Sequence, residues 1–286
     1  MSIDARRRDG QRLMRLMLVT VTISSMNAQL FHAVLPKISE EFGLTLAQAS
    51  WLTSAYTLIY AFGTVTYGKL ADRFQLKTLL TFGLSLFAAG SCIGLVSTSF
   101  AAALVGRCLQ SAGAAAVPAL SLIIPVRYFA PERRGAALSM TAVGVALGSA
   151  LAPFVSAFIV SAGDWRRLFL PSLLLPALLP LYRKQLAHEP KEAPGGFDWI
   201  GGSLLAASVA LILIGAAERN GWCLAAGPVL LLLFNIRIRT AKAPFLDPQL
   251  LADRAYVAGL ALAFCIAGIG ISLYFVPPIL LAQVHG

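Results

Sequence analysis

Charge is what this sequence has little of. Only 13% of its 286 residues are Asp, Glu, Lys or Arg, against about 25% for an ordinary soluble domain. With 58% hydrophobic residues and a mean hydropathy of +0.76, no water-soluble core is there to be sought, and the composition is that of a membrane protein with many spans. Carboxylates are scarcer than bases, 13 against 23, and none lies in the interior of the first six apolar runs. That withholds the intramembrane acid on which proton-coupled pumps usually rely. There is no Gly-Lys-Ser/Thr phosphate loop, no nucleophile elbow and no stretch resembling a soluble catalytic domain, so no enzyme is expected. Cys92, Cys108, Cys223 and Cys265 lie in or at the start of apolar runs without metal-ligand spacing. They read as small packing residues, with no disulfide framework and no metal site. No short-period repeat is present.

What is there is a succession of about nine apolar runs, each roughly long enough to cross a bilayer at 1.5 Å per residue. Their limits are near 14–36, 51–70, 78–96, 100–126, 136–162, 168–182, 199–217, 223–236 and 256–281. The basic N-terminus (Arg6, Arg7, Arg8, Arg12, Arg15) resembles the start of a signal peptide, but the apolar run is too long and no cleavage site follows. The net charge of +10 does not point to nucleic acid, because the bases are spread over short segments between apolar runs. With the N-terminus inside, 18 Lys and Arg fall on cytoplasmic segments, and four (Lys37, Arg166, Arg167, Arg219) fall outside. Arg107 is within a span. That asymmetry predicts a cytoplasmic N-terminus in a cell membrane. The organisation expected is a six-helix bundle over 1–182, a polar linker over 183–197, a helix pair over 198–236, a cytoplasmic connection over 237–254 and one further helix over 255–286.

The densest charge lies between the second and third runs, where Gly68, Lys69, Asp72, Arg73 and Lys77 crowd a turn too short for a folded loop. Gly68 would let backbones come close as the chain leaves the membrane, and Asp72 would accept from free N–H groups at the next helix start. The stretch is either a positive-inside anchor that contains one acid or a functional latch. Arg107 needs explaining too. Inserting an arginine at membrane depth costs roughly 2.5–3.5 kcal/mol, so it faces a cavity or partner unless it snorkels to the headgroups or bonds backbone carbonyls. Gln110, three residues on, shares its helical face. Gly144, Gly148, Ala152 and Ser156 recur at steps of four, a face for close helix approach, and Pro153 predicts a kink. Asn27 and Phe31 share one face of the first run, with Gln29 and His32 beside it. Tyr56, Tyr60, Thr64 and Tyr67 form an aromatic-polar stripe that either lines a cavity or makes helix contacts.

Together these residues resemble the major facilitator superfamily. Gly68-Lys69-Leu70-Ala71-Asp72-Arg73, ending at Lys77, is similar to its signature between the second and third helices. Arg107-Cys108-Leu109-Gln110-Ser111-Ala112-Gly113 is similar to its fourth-helix motif, and 144–157 to the fifth-helix motif of drug:proton antiporters. Phe197-Asp198-Trp199-Ile200-Gly201, followed by two extra spans, resembles the 14-helix branch. Within that branch Gly63 to Leu70, Val117-Pro118-Ala119-Leu120 and Pro244 to Leu250 resemble Gram-positive tetracycline–metal/proton exporters.

The resemblance implies an all-α polytopic protein that exports drugs against protons by alternating access, with antibiotic resistance as the outcome. It would use no cofactor beyond the proton gradient, and its small-molecule substrate can carry a divalent metal. It implies an inner-gate latch of Gly68, Lys69, Asp72, Arg73, Lys77 and Arg134, and a substrate or proton path along Asn27, Tyr56, Tyr60, Arg107 and Gln110. The packing and hinge face would be Gly144, Gly148, Ala152, Pro153 and Ser156. Departures stand beside this. Asn27 and Ala28 occupy positions where the family carries an acid, Ala152 and Ser156-Ala157 replace glycines, and the chain holds about nine spans where the branch has fourteen. The second expectation is therefore a truncated, transport-inactive remnant or partial subunit of such a transporter.

Overall fold

The computed structural model describes residues 3–161, 163–186, 198–217, 219–241 and 244–285, and among them it contains helices and turns but no strand. The chain divides into two compact units, Met1–Pro194 and Gly195–Gly286. In the first, α1 (Ile3–Gln29) leads through a 3-10 turn (His32–Val34) into α2 (Leu35–Phe42). Gly43 ends α2 in the left-handed region (φ 61), where only glycine is free of strain. One turn, α3 (Leu46–Ala49), opens with a capping box between Thr45 and Gln48. Then come α4 (Trp51–Leu70), α5 (Leu76–Leu95), and α6 (Phe100–Ala114) with α7 (Ala116–Tyr128), which meet at Ala115. The long α8 (Pro131–Ser161) follows.

Among the described residues six stretches are long and apolar enough to cross a membrane: Gln11–Phe42, Leu76–Leu95, Phe100–Tyr128, Pro131–Ser161, Trp199–Ala216 and Gly221–Thr240. With 20 residues α4 has the length too, but it is rich in Ser, Thr and Tyr. Three of its threonine hydroxyls are satisfied inside the helix, with Thr57 donating to the Thr53 carbonyl (2.9 Å), Thr64 to Tyr60 (2.7 Å) and Thr66 to Phe62 (3.0 Å). Threonines bonded in this way present no unpaired donor to the surrounding apolar medium.

The sixth run is not the regular α-helix its hydropathy suggests. Residues Trp165–Phe169, Pro171–Leu174 and Pro176–Leu178 are three 3-10 segments, and only then does α9 (Leu179–Gln185) form. Pro171, Pro176 and Pro180 remove N–H donors at short intervals, so the ladder is broken into tighter turns. Leu173 bonds to Leu170, Leu175 to Ser172 and Leu178 to Leu175 at 3.0, 3.1 and 3.0 Å.

Glycines set the closest packing. On α5 an added Cβ at Gly90 would strike the backbone of Gly106 and Gln110, and at Gly83 it would lie 2.6 Å from Ala116 Cβ. On α6 a Cβ at Gly106 would lie 2.8 Å from Gly94 N, and one at Gly113 would meet Gly83 and Phe87 backbone. On α8, Gly144, Gly148, Ala152 and Ser156 are all buried and face α1. A Cβ at Gly148 would run into Thr22 and Met26 backbone, and Ser156 donates to the Leu30 carbonyl at 2.8 Å. Helix α8 runs unbroken through Pro153, whose ring is exposed. Gly68 corrects the reading of the turn: nothing lies within 4 Å of a Cβ placed there, so it mediates no close approach. Cys92 and Cys265 are exposed, and not packing residues of a core.

In the second unit α10 (Trp199–Ala217) and α11 (Gly221–Thr240) form a hairpin. Asn220 caps α11, accepting from Trp222 N at 3.0 Å. Asp198 opens α10, where its Oδ1 accepts from Gly201 N (3.0 Å) and from Arg237 Nε (3.1 Å) at the end of α11. Then come α12 (Pro248–Ala252), capped by Asp247, and α13 (Arg254–His285), exposed from 254 to 269. Most of the predicted linker, from 187 to 197, together with Lys242, lies outside the described residues.

The glycine contacts carry a direct expectation. Gly113→Ala overpacks α5 against α6 and lowers stability by about 1–3 kcal/mol. Gly68→Ala, in open space at a helix end, is neutral to slightly stabilising. Thermal unfolding of the detergent-solubilised protein distinguishes the two.

Candidate functional site

Arg107 lies at the centre of the first unit, fully buried, so it neither snorkels nor touches the membrane surface. Its Nη1 donates to Gln110 Oε1 (2.7 Å) and Asn27 Oδ1 (3.3 Å), and its Nε to the Leu52 carbonyl (3.4 Å). Its guanidinium carbon is 4.2 Å from the Phe31 ring centroid and 3.9 Å from that of Tyr56, close enough for cation–π attraction strengthened by desolvation. The partners pass the bonding on. Gln110 Nε2 donates to Ser91 Oγ and Ser172 Oγ, both at 2.9 Å, and Asn27 Nδ2 also donates to Ser172 Oγ. One network therefore joins α1, α4, α5, α6 and the 3-10 segment Pro171–Leu174. Helix periodicity is what places Gln110 beside Arg107, and the tight turn after Pro171 is what carries Ser172 inward. Tyr60 stacks on Tyr56 at 5.9 Å between centroids and is half-buried, so the stripe on α4 begins as a wall of the arginine site. His32 and Gln29 are exposed.

The two ends of the bundle differ. Between α4 and α5, Arg127 Nη2 donates to the Ala71 carbonyl at 2.8 Å and stands 3.9 Å from Asp72 Oδ1. Asp72 does not cap α5. That helix starts at Leu76 with Gln75 in the N-cap position and no side-chain cap, so the acid is a full turn too early and turns to the arginine instead. Arg134, expected at the latch, donates to the carbonyls of Val126 (3.0 Å) and Phe129 (3.3 Å) at the end of α7. Lys69, Arg73 and Lys77 stay partly exposed around the same turn, with Gly68 beside them.

At the opposite end Glu41 receives Trp165 Nε1 (2.6 Å) and Arg166 Nη2 (2.7 Å), while Arg166 also reaches Asp164 (3.1 Å) and the Ser97 carbonyl. Lys37 Nζ donates to the Gly163 carbonyl at 3.0 Å. Burial weighs against the Arg166 charge, but its hydrogen bonds to Glu41 and Asp164 outweigh that and raise its pKa above the ordinary value. This clasp joins the segments after α1, α5 and α8, which therefore lie at one end.

Sequence reasoning named Arg107, Gln110, Asn27 and Tyr56 and missed Ser91, Ser172, Leu52, Arg127, Glu41 and Trp165. A lone serine in an apolar run carries no signal of its own, although Ser172 directly follows a proline. A cavity lined by Met17, Thr20, Leu80, Leu120, Ser121 and Tyr182 lies apart from the arginine network. Among the described residues no cluster of three His, Cys, Asp or Glu could hold a metal ion.

Comparison with known proteins places these features. The Major Facilitator Superfamily matches residues 17–286. Multidrug resistance protein 3 of Bacillus subtilis (strain 168) is 25% identical over 94% of this chain and 55% of its own length. Riboflavin transporter RibZ of Clostridioides difficile (strain 630) is 24% identical over 90% and 56%, and the drug efflux pump JefA of Mycobacterium tuberculosis (strain CDC 1551 / Oshkosh) is 29% identical over 84% and 50%. The chain thus spans about half the length of the curated relatives it matches. Among solved structures, a peptide transporter POT (E310Q mutant) in complex with alafosfalin aligns with a TM-score of 0.58 at 18% identity, over 82% of this chain and 52% of that one. An inward-facing bacterial homolog of the human lysosomal transporter Spinster gives 0.53 at 17%, over 76% and 56%. These structures share the fold.

Ser172→Ala tests the network. It removes the acceptor shared by two buried amides, and an orphaned buried donor costs about 1–3 kcal/mol. The variant is expected to unfold at lower temperature than the wild type, whereas Ser139→Ala, on the exposed side of α8, leaves the midpoint unchanged.

Proposed function

The chain belongs to the Major Facilitator Superfamily, and from that premise we propose that it is a secondary exporter of small molecules, and not an enzyme. In this reading it lies in the plasma membrane with its N-terminus in the cytoplasm and works by alternating access, the family of motions in which bundles rock about a midplane site. The observation that carries it is the buried Arg107 network, a polar centre enclosed among apolar helices, where an ionised side chain by default marks a substrate or ion path. Drug efflux is the finer reading, supported by the relatives named for multidrug resistance and drug efflux. The phrases at Gly63–Leu70, Val117–Leu120 and Pro244–Leu250 favour tetracycline–metal complexes within that class. Asn27, Tyr56, Tyr60, Arg107 and Gln110 form the substrate path, and Gly144, Gly148, Ala152, Pro153 and Ser156 the packing and hinge face of α8 against α1. Since no carboxylate stands inside the first six runs, proton coupling is assigned to groups outside them.

The turn from Gly68 to Lys77 is the inner latch in this proposal, with Arg127 gripping its backbone and Arg134 holding the neighbouring helix end. Asp72 is 69% exposed and only 3.9 Å from Arg127. An exposed pair at that distance contributes about 0–1 kcal/mol to stability, so its carboxylate is free to serve conformational exchange. Asp72→Asn is therefore expected to keep the wild-type level in membranes while cutting gradient-driven accumulation of labelled tetracycline with divalent metal in inverted vesicles. The loss should be about tenfold or more, equivalent to about 1.4 kcal/mol on the barrier. Wild-type accumulation in that variant refutes the latch. No gradient-dependent accumulation in the wild type refutes the tetracycline reading.

A further inference from the structure

Arg107 is a buried cation with no counter-charge among the described residues. Its three acceptors, the Leu52 carbonyl, Asn27 Oδ1 and Gln110 Oε1, are all neutral. The described carboxylates of this unit, Glu40, Glu41, Asp72, Glu132 and Asp164, stand at helix ends, and none of them forms an ion pair with Arg107. Its Nη2 has no hydrogen-bond partner, and neither has the Tyr56 hydroxyl, although both atoms are buried. An uncompensated buried ion is strongly destabilising, and buried polar atoms are otherwise almost always paired. Two orphaned donors beside an unpaired positive charge describe a site built for an acceptor that carries negative charge. The neighbouring surfaces are aromatic: Phe31 and Tyr56 against the guanidinium, and Tyr60 stacked on Tyr56. In this structure the rings shut the site, with Phe31 fully buried and Tyr56 2% exposed, so a ligand reaches it in a conformation in which they part.

We propose that Arg107 Nη2 and the Tyr56 hydroxyl bind the anionic group, a carboxylate or phenolate, of a flat ring-bearing substrate whose body lies against Phe31, Tyr56 and Tyr60. This rests on the reading of the chain as a small-molecule transporter and narrows its substrates to molecules that present such an anionic group. The substrate supplies the counter-charge that the protein leaves out. Binding through Arg107 is then charge-assisted, and the neutral amide of the same acid cannot replace it.

The test is titration calorimetry of the purified full-length protein with 2-naphthoate and with 2-naphthamide, which share size and shape and differ in charge. Wild type is expected to bind the acid about tenfold or more tightly than the amide. Asn27→Asp places a carboxylate next to Nη1, so it is expected to raise the thermal midpoint and abolish the preference for the acid. Arg107→Gln, if it folds, also abolishes the preference. Equal binding of the two probes, binding of neither, or an unchanged preference in Asn27→Asp overturns the proposal. A protein that binds both probes alike yet accumulates tetracycline in vesicles remains a transporter without this anion site. One that prefers naphthoate but drives no gradient-dependent transport has the site without the proposed export.

Discussion

A guanidinium carries its charge wherever it is buried, and burying Arg107 dictates how the first unit is assembled. Taking such an ion out of water costs several kcal/mol even after relaxation, so the surrounding elements must bring acceptors and polarisable rings to it. They come from α1 (Asn27), the turn after it (Phe31), α4 (the Leu52 carbonyl, Tyr56) and α6 itself (Gln110), with α5 and the segment after Pro171 holding those partners through Ser91 and Ser172. No single bond in the set is strong. Its effect is that five segments share one polar centre, so displacing any of them leaves a buried donor unpaired.

That centre can exist only because the backbones are allowed close. Gly90 sits against the Gln110 and Gly106 backbone, and Gly94 under the Phe169 ring, so α5 presses on α6 at the level where Gln110 turns toward Ser91. Side chains at those glycines would push the serine out of reach of the amide. Close packing and polar bonding are thus one arrangement seen from two sides. In a membrane, where apolar surface gains little from helix association, packing and interhelical hydrogen bonds are what hold a bundle.

Much of this was legible in the sequence, and the division follows from distance along the chain. The alternation of apolar runs, the face at Gly144–Ser156 and the pairing of Arg107 with Gln110 are local, decided within one or two turns. Ser172 was invisible because it joins residues 62 and 145 positions away, and only the folded path around Pro171 brings it there. The same holds for Glu41, which meets Trp165 and Arg166 across 124 and 125 residues. Arg134 was expected at the Asp72 turn and Arg127 found there because both fit a basic loop equally well. One falls near the α4 terminus and the other near the carbonyls of α7, and no local rule separates them. Gly68 shows the opposite error, a glycine given a close contact that its open surroundings do not contain.

The ends of the unit complete the mechanical picture. One end is fastened by Glu41, Trp165 and Arg166 across three connections, with short charge-assisted bonds. The other has an arginine on a backbone carbonyl and a loose, exposed acid. A bundle joined by the Arg107 network and clasped at one end resists internal rearrangement, and the weaker attachments are the Asp72 turn and, in the proposed site, the aromatic rings over Arg107. Rings can swing by rotation about two side-chain torsions without breaking the Asn27–Ser172–Gln110 scaffold beneath them. In the proposed site the acceptor cage that pre-orients the guanidinium stays fixed, and the rings over its unpaired edge move. A binding site needs that separation, because a pre-oriented donor loses little order when its ligand arrives.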